Sequence, residues 1–154
     1  MSVRGASAAQ VDARAFLARQ FEGPVVAEEW VQHVEYDPEL DRWYVRFGCE
    51  GRDAATIYFD LRQRSLYYEL YFLPFPPPDA EGRPNAELLT WLLTRNRSLY
   101  TVHFALGRDG DVYLLGRTPL DDLDETRLDH ILGEIYEATE TWFQPAVRLA
   151  FGRG

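Results

Sequence analysis

The sequence contains no lysine; all 16 of its Lys/Arg positions are arginine. A lysine nucleophile or Schiff base is therefore excluded from any chemistry of the chain. Cysteine is almost as scarce. Cys49 stands alone and can form no internal disulfide, and the histidines His33, His103 and His130 are too scattered to complete a zinc site with it. This thiol usage fits a reducing cytoplasm, the expected location. Positive charge is outnumbered: 16 basic against 25 acidic residues leave a net charge of −9. Such a surface repels phosphate backbones, so nucleic acid is not an expected partner. No apolar run approaches the roughly 18 residues of a membrane span, and no membrane partner is expected. Residues 1–10 lack the apolar stretch of a signal peptide, which speaks against export by that route.

What is present is enough apolar material for a core: 46% hydrophobic and 14% aromatic residues in 154 positions. That length is one ordinary domain, expected over residues 7–151 with short tails at 1–6 and 152–154. Ser7 and Gln10 have capping-box spacing and open a first helix. Gly23-Pro24 is expected to stop it, with Val11, Leu17, Ala18 and Phe21 on its inner side. Four strand-like runs follow: Glu28–Tyr36, Arg42–Cys49, Ala55–Leu61 and Ser65–Leu73. The last three alternate with period two, placing Trp43, Val45, Phe47 and Cys49, then Ala55, Ile57, Phe59 and Leu61, then Leu66, Tyr68, Leu70 and Phe72 on one face. Their connections are too short for parallel crossovers, so an antiparallel meander covered on one face is predicted.

A Pro-rich segment, Pro74–Pro84, interrupts the strands. Asn85 then caps a second helix that runs to about Asn96. Leu99–Gly107 and Asp111–Gly116 read as a hairpin, with Asp109-Gly110 suited to a primed turn. Asp124 caps a long last helix whose inner side is Leu128, Ile131, Leu132, Ile135, Tyr136, Thr139, Trp142 and Phe143, with Leu123 and Leu128 as a hydrophobic staple. Pro145 ends or kinks it. The fold class is α+β, in the order α-β-β-β-β-α-β-β-α, with an antiparallel sheet flanked by helices.

No motif here calls for a cofactor, a metal or a catalytic residue. The histidines lie in strands or, for His130, on the polar side of the last helix beside Glu134 at i+4. Asp121-Asp122-Leu123-Asp124-Glu125 lacks the ligand spacing of a calcium loop and is explained by capping. Gly107–Asp111 sits between two strands, where no helix amides can cradle a phosphate. Arg95-Asn96-Arg97 falls at a helix C-terminus, where the dipole favours cations. Cys49 has no base or cation to activate it.

Two features point outward. The opposite sheet face carries Arg42, Tyr44, Arg46, Thr56, Tyr58, Asp60, Tyr67, Glu69 and Tyr71. Tyrosine among charges is typical of contact surfaces, because it offers area and a polar tip at low entropy cost. A solvated face held by cross-strand pairs has the same composition. Tyr44, Arg46, Tyr58, Tyr67, Glu69 and Tyr71 are the candidate partner-binding residues. In the second helix, Leu88, Leu89, Trp91, Leu92 and Leu93 spread over roughly 200°, more than one packing face can hide. Leu89, Trp91 and Leu93 are therefore candidate contacts of a homodimer, unless Phe72, Phe75 and the prolines after it fold back over Trp91 within one chain.

Trp43-Tyr44-Val45-Arg46, Leu61-Arg62-Gln63-Arg64, Tyr67-Tyr68-Glu69, Leu92-Leu93-Thr94-Arg95-Asn96 and Val112-Tyr113-Leu114-Leu115-Gly116-Arg117, in that order, resemble the YbjN family of bacterial proteins in its actinobacterial form. The resemblance runs from about Ala9 to Phe151. The family, labelled a sensory-transduction regulator, is similar in fold to the type III secretion chaperones, and Glu28–Tyr36 is an added strand at the front. The resemblance implies a dimer that recognises a polypeptide without cofactor or catalysis. A non-enzymatic, chaperone-like or regulatory interaction module is the leading expectation. The alternative is a small-molecule or nucleotide-binding domain, enzymes included, which would need a pocket of convergent polar groups.

Overall fold

The computed structural model describes residues 7–152; of the expected tails, only Gly152 lies within that range. Helix α1 (Ala8–Gln20) starts as its sequence dictates: Ser7 accepts from the Gln10 amide, and the Gln10 side chain accepts from the Ser7 amide. Its buried line is Ala13, Leu17 and Phe21, whereas Val11 is 51% exposed. The reason is angular, since residues four apart drift only about 40° while Val11 lies about 200° from Ala13. Gly23-Pro24 does not stop the helix either. The chain widens into a π-turn over Phe21–Val25 with Pro24 inside it. A widened turn tolerates the missing amide and relieves the clash of the ring with the carbonyl four residues back.

Six strands make one antiparallel sheet: β1 (Val31–Asp37), β2 (Arg42–Cys49), β3 (Arg52–Leu61), β4 (Ser65–Leu73), β5 (His103–Leu106) and β6 (Val112–Pro119). Their spatial order is β1-β2-β3-β4-β6-β5. The period-two reading of the inner face holds: Trp43, Val45, Phe47, Ile57, Phe59, Leu66, Tyr68 and Leu70 are all buried, and only Cys49 lies at the partly covered margin. The Asp109-Gly110 turn is not primed. Gly110 alone has positive φ, its amide donates to the Gly107 carbonyl, and the Gly107 amide donates to the Asp111 carbonyl. This is the three-residue hairpin loop that ends in a left-handed glycine.

Helix α2 (Ala86–Asn96) and helix α3 (Glu125–Phe151) begin at Asn85 and Asp124, each accepting from the amide three residues on. The Asn85 amide also donates to the Leu149 carbonyl, pinning the start of α2 to the end of α3. Pro145 does not end α3. The buried stripe continues past it through Ala146 and Ala150, and Thr141, whose carbonyl loses its partner, is exposed to water. Packing on the sheet thus holds the last turns in place.

Helices α1 and α3 cover the inner face. Phe21 lies 5.6 Å from Trp43 and 5.0 Å from Phe59, and Tyr136 and Phe143 of α3 meet Phe47 and Phe72 at 5.6 and 5.7 Å. Asp41, with φ of 53°, is the one described non-glycine residue in the left-handed region. Its carboxylate accepts from Arg14 at 2.6 and 3.1 Å and from Tyr36 at 2.7 Å, tying α1 to the β1–β2 turn. Burial alone would raise its pKa; the hydrogen bonds and charge of Arg14 and the Tyr36 phenol outweigh that and hold it below the usual carboxylate range.

Candidate protein-binding surface

The register decides which side chains meet on the outer face. One row across the sheet reads Glu35, Tyr44, Tyr58, Glu69, Leu115 and His103. The next reads Asp37, Arg42, Asp60, Tyr67 and Arg117. The six candidate partner-binding residues therefore share one surface spanning β2 to β4.

Within that surface the charges are unevenly matched. Asp60 accepts from Arg42 through both oxygens, at 2.5 and 3.0 Å, and lies 3.9 Å from Arg62. The Arg42 guanidinium stacks 3.9 Å from the Tyr58 ring centre, and that of Arg62 sits 4.1 Å from Tyr67. Tyr67 donates to Glu69 at 2.6 Å. Burial first, then hydrogen bonding to and the charge of Glu69, push both the Tyr58 and Tyr67 phenols well above their ordinary pKa. Tyr71 donates to Asp111 at 2.7 Å, which with partial burial pushes its phenol up to about 12. Arg46 is exposed and, among the described residues, has no ion-pair partner.

Sequence reasoning missed the hairpin's share. Tyr113, Leu115 and Arg117 of β6 lie on the same face, beside Tyr71, Glu69 and Tyr67. A groove of about 610 Å³ is lined by Tyr58, Tyr67 and Glu69 on one side and by Tyr113, Asp109 and Arg108 of the hairpin on the other. The alternation of Val112–Arg117 carried the signal, but only the pairing of β4 with β6 brings those residues to this face.

The sheet edges differ. At β5, the Asn96 side chain accepts from the Phe104 amide at 2.7 Å and donates to its carbonyl at 3.1 Å, so that edge is occupied from within. The other edge, β1, is seven residues long and has β2 on one side only. Asn96 is thus an edge cap, and its neighbour Arg95 lies over Trp91 at 5.2 Å and Trp142 at 5.9 Å.

The remaining candidates separate in space. His33 pairs with Glu35 at 3.3 Å on β1, His103 lies exposed on β5, and His130 is exposed on α3. Glu134, expected as the partner of His130, instead accepts from the amides of Tyr100, Thr101 and Val102 and from the Thr101 hydroxyl, at 2.5–3.2 Å. Those commitments explain why β5 starts at His103 rather than Leu99. Burial and the nearby Glu140 charge raise the Cys49 thiol pKa, opposite to activation. Among the described residues no three His, Cys, Asp or Glu converge where a metal could bind, and no helix is long and apolar enough to cross a membrane.

On α2, Leu93 is 67% exposed and Leu89 half-buried, on one flank. Trp91, on the other, faces Phe104 at 6.4 Å and Trp142 at 6.3 Å. The rings that meet Trp91 come from β5 and α3, neither of which the sequence offers as its cover: the expectation there is a dimer contact, with the segment around Phe75 as the alternative.

A family profile described as "Putative bacterial sensory transduction regulator", YbjN, matches residues 28–146. The chain belongs to the YbjN family. Among curated relatives, an uncharacterized protein of Mycobacterium leprae is 31% identical over 112 residues, 73% of this chain and 58% of that protein. An uncharacterized protein of Mycobacterium tuberculosis is 35% identical over 65 residues, 42% of this chain and 36% of that one. The chain therefore spans little more than half the length of the first of these relatives. Among solved structures, a chain of the ExsC–ExsE complex superposes with a TM-score of 0.56 at 12% identity, covering 90% of this chain and 95% of that one. The Yersinia pestis type III secretion chaperone SycH, solved with a stable fragment of YscM2, has a TM-score of 0.48 at 13% identity, over 82% of this chain and 96% of that one. The antiparallel sheet flanked by helices is the α+β fold that the family resemblance implied, and it is shared with the chain of the ExsC–ExsE complex.

Proposed function

We propose that residues 7–151 act as one non-enzymatic protein-interaction module, cytoplasmic and chaperone-like or regulatory, that binds a polypeptide on the outer face of its sheet. The observation that carries this reading is the face itself: tyrosines, unpaired Arg46 and a groove of about 610 Å³ that neither α1 nor α3 covers. Aromatic rings beside charges supply area and directed bonds without a deep cavity, which suits an extended segment. A structure of the same fold holds a protein complex, ExsC with ExsE, which supports the reading by analogy. The free β1 edge offers a second place for the same segment to pair.

Capture from the native host tests it. Wild type is expected to retain a partner that the double variant Tyr44→Ser, Arg46→Glu loses by about tenfold or more, an effect of roughly 1.4 kcal/mol or greater. Glu137→Ala, on the exposed side of α3, should retain it. Equal capture by all three proteins removes the outer face as the binding surface.

We further propose that the module is a homodimer through α2, a second copy covering Leu89 and Leu93 in an isologous contact that also reaches Trp91. The same α2 residues would meet across a two-fold axis, so the contact closes without forming fibres. Leu93→Glu is expected to give a folded monomer. Trp91→Glu should cost about 2–3 kcal/mol of fold stability, because its ring also packs on Phe104 and Trp142. Sedimentation velocity decides: a wild type that stays monomeric at high concentration rules this assembly out.

A further inference from the structure

The groove between the β3–β4 tyrosines and the β5–β6 hairpin contains one carboxylate that the described residues leave without a cation or a turn to hold it; Arg108, at the hairpin rim, is likewise without an ion-pair partner among them. Asp60 is neutralised by Arg42 and approached by Arg62. Asp109 accepts from the Tyr113 hydroxyl and the Asp111 amide, and it lies in the exposed turn. Glu69 differs. It is half-buried at the middle of the six-stranded sheet, with Tyr58 and Leu115 as its cross-strand neighbours. Among the described residues no cation lies within ion-pair distance of it, and the groups that hydrogen-bond to it are phenols, Tyr67 at 2.6 Å and its cross-strand neighbour Tyr58. Its negative potential reaches Tyr58, Tyr67 and Tyr113, where it adds to the forces raising each phenol.

The rings around Glu69 are shaped for a cation. Tyr58 and Tyr67 stand 6.5 Å apart, tilted by 42°, and Tyr113 lines the opposite side of the groove. The chain already lays its own Arg42 and Arg62 on the first two rings, at 3.9 and 4.1 Å. Both of those cations are held near Asp60, and neither pairs with Glu69. A carboxylate with open acceptor positions, ringed by phenols in a partly desolvated groove, favours a guanidinium or ammonium by charge, hydrogen bonding and ring quadrupole together.

We infer that this groove takes an arginine or lysine side chain from an extended partner segment, its charge on Glu69 and its stem against Tyr58, Tyr67 and Tyr113. The net charge of −9 would steer such a basic segment toward the chain. The inference rests on the reading of the outer sheet face as protein-binding and names the partner's chemistry. Glu69 is the specificity-determining residue; Arg46 and Tyr44 contact the remainder of the segment.

The test is a displayed library of random twelve-residue peptides selected on the purified chain. Selected peptides are then measured by fluorescence anisotropy beside versions with citrulline in place of arginine, or norleucine in place of lysine. Selected peptides should share a basic residue. The neutral replacement and Glu69→Gln should each weaken binding by about tenfold, and together by little more than either alone, the mark of a direct pair. Glu69→Gln keeps the shape and an acceptor for Tyr67, so its fold should be intact by circular dichroism. Peptides that need Tyr44 and Arg46 but neither a basic residue nor Glu69 overturn this inference and leave the protein-binding reading standing. Acidic consensus peptides overturn it in favour of Arg62, Arg108 and Arg117 as the reading groups. Failure of any peptide to bind the outer face removes both. A wild-type dimer dissolved by Glu69→Gln overturns it by making a second copy the occupant.

Discussion

Glu134→Ala is expected to destabilise the fold by about 3 kcal/mol or more, although Glu134 lies on the side of α3 that its sequence marks as solvent-facing. One carboxylate collects four donors: the amides of Tyr100, Thr101 and Val102 and the Thr101 hydroxyl. Thr101 and Val102 are buried, so their amides have no ready access to water once the carboxylate is gone. Bonds to a charged acceptor contribute about 1.5–3 kcal/mol each, and stranded buried donors add a penalty of their own. Glu134→Gln should fall between, since its oxygen can keep part of the set while its NH₂ group opposes the rest. Denaturant melts give the magnitude, and hydrogen exchange gives the place: protection should drop at Thr101 and Val102 before the sheet centre. The segment leads directly into β5, which forms the hairpin with β6, so peptide binding at the outer groove should weaken as well. A loss below about 1 kcal/mol would mean that water replaces the carboxylate at these amides.

Ile135→Ala is the largest effect expected from packing alone, about 2–5 kcal/mol. Ile135 is fully buried, one turn from Ile131 and Leu132 on one side and Ala138 and Thr139 on the other, where α3 lies on the inner sheet face. Truncation removes the transfer energy of the lost carbons and leaves a cavity that a long helix, pinned at Leu149 and Glu134, cannot collapse. Glu137→Ala, two residues along and exposed, should stay within about 0.5 kcal/mol of wild type. Comparable losses in the two variants, read as shifts in urea midpoint at constant slope, would mean that the helix presents a different face to the sheet.

Much of the fold was legible because its signals are local. Period-two alternation over Arg42–Leu73 marks the inner face, and the structure buries Trp43, Ile57, Phe59 and Leu70 there. The caps at Ser7, Asn85 and Asp124 all form. The errors cluster where a local rule met a tertiary override. Pro24 read as a helix stop and Pro145 as a stop or a kink; the chain stays helical through both, and packing of Val25, Ala146 and Ala150 outweighs the missing hydrogen bond in each case. Glu134 read as a surface residue because nothing in an i, i+4 pattern reveals amides 32 to 34 positions away.

The sequence by itself determined the main helices and strands, the inner face of the sheet and the placement of Tyr44, Tyr58, Tyr67, Glu69 and Tyr71 on the other face, since each depends on spacings of two to four residues that the backbone geometry converts directly into direction. Only the tertiary structure decided that β6 rather than β5 pairs with β4, that Asn96 closes the β5 edge, and that Tyr113 and Asp109 face Glu69 across a groove. The physical reason is that alternation sets which face a side chain takes but is indifferent to which strand lies beside it. Strand order is set by how the whole apolar face can be buried at once under α1 and α3, and Glu69 is left without a cation by that order, not by its neighbours in the chain.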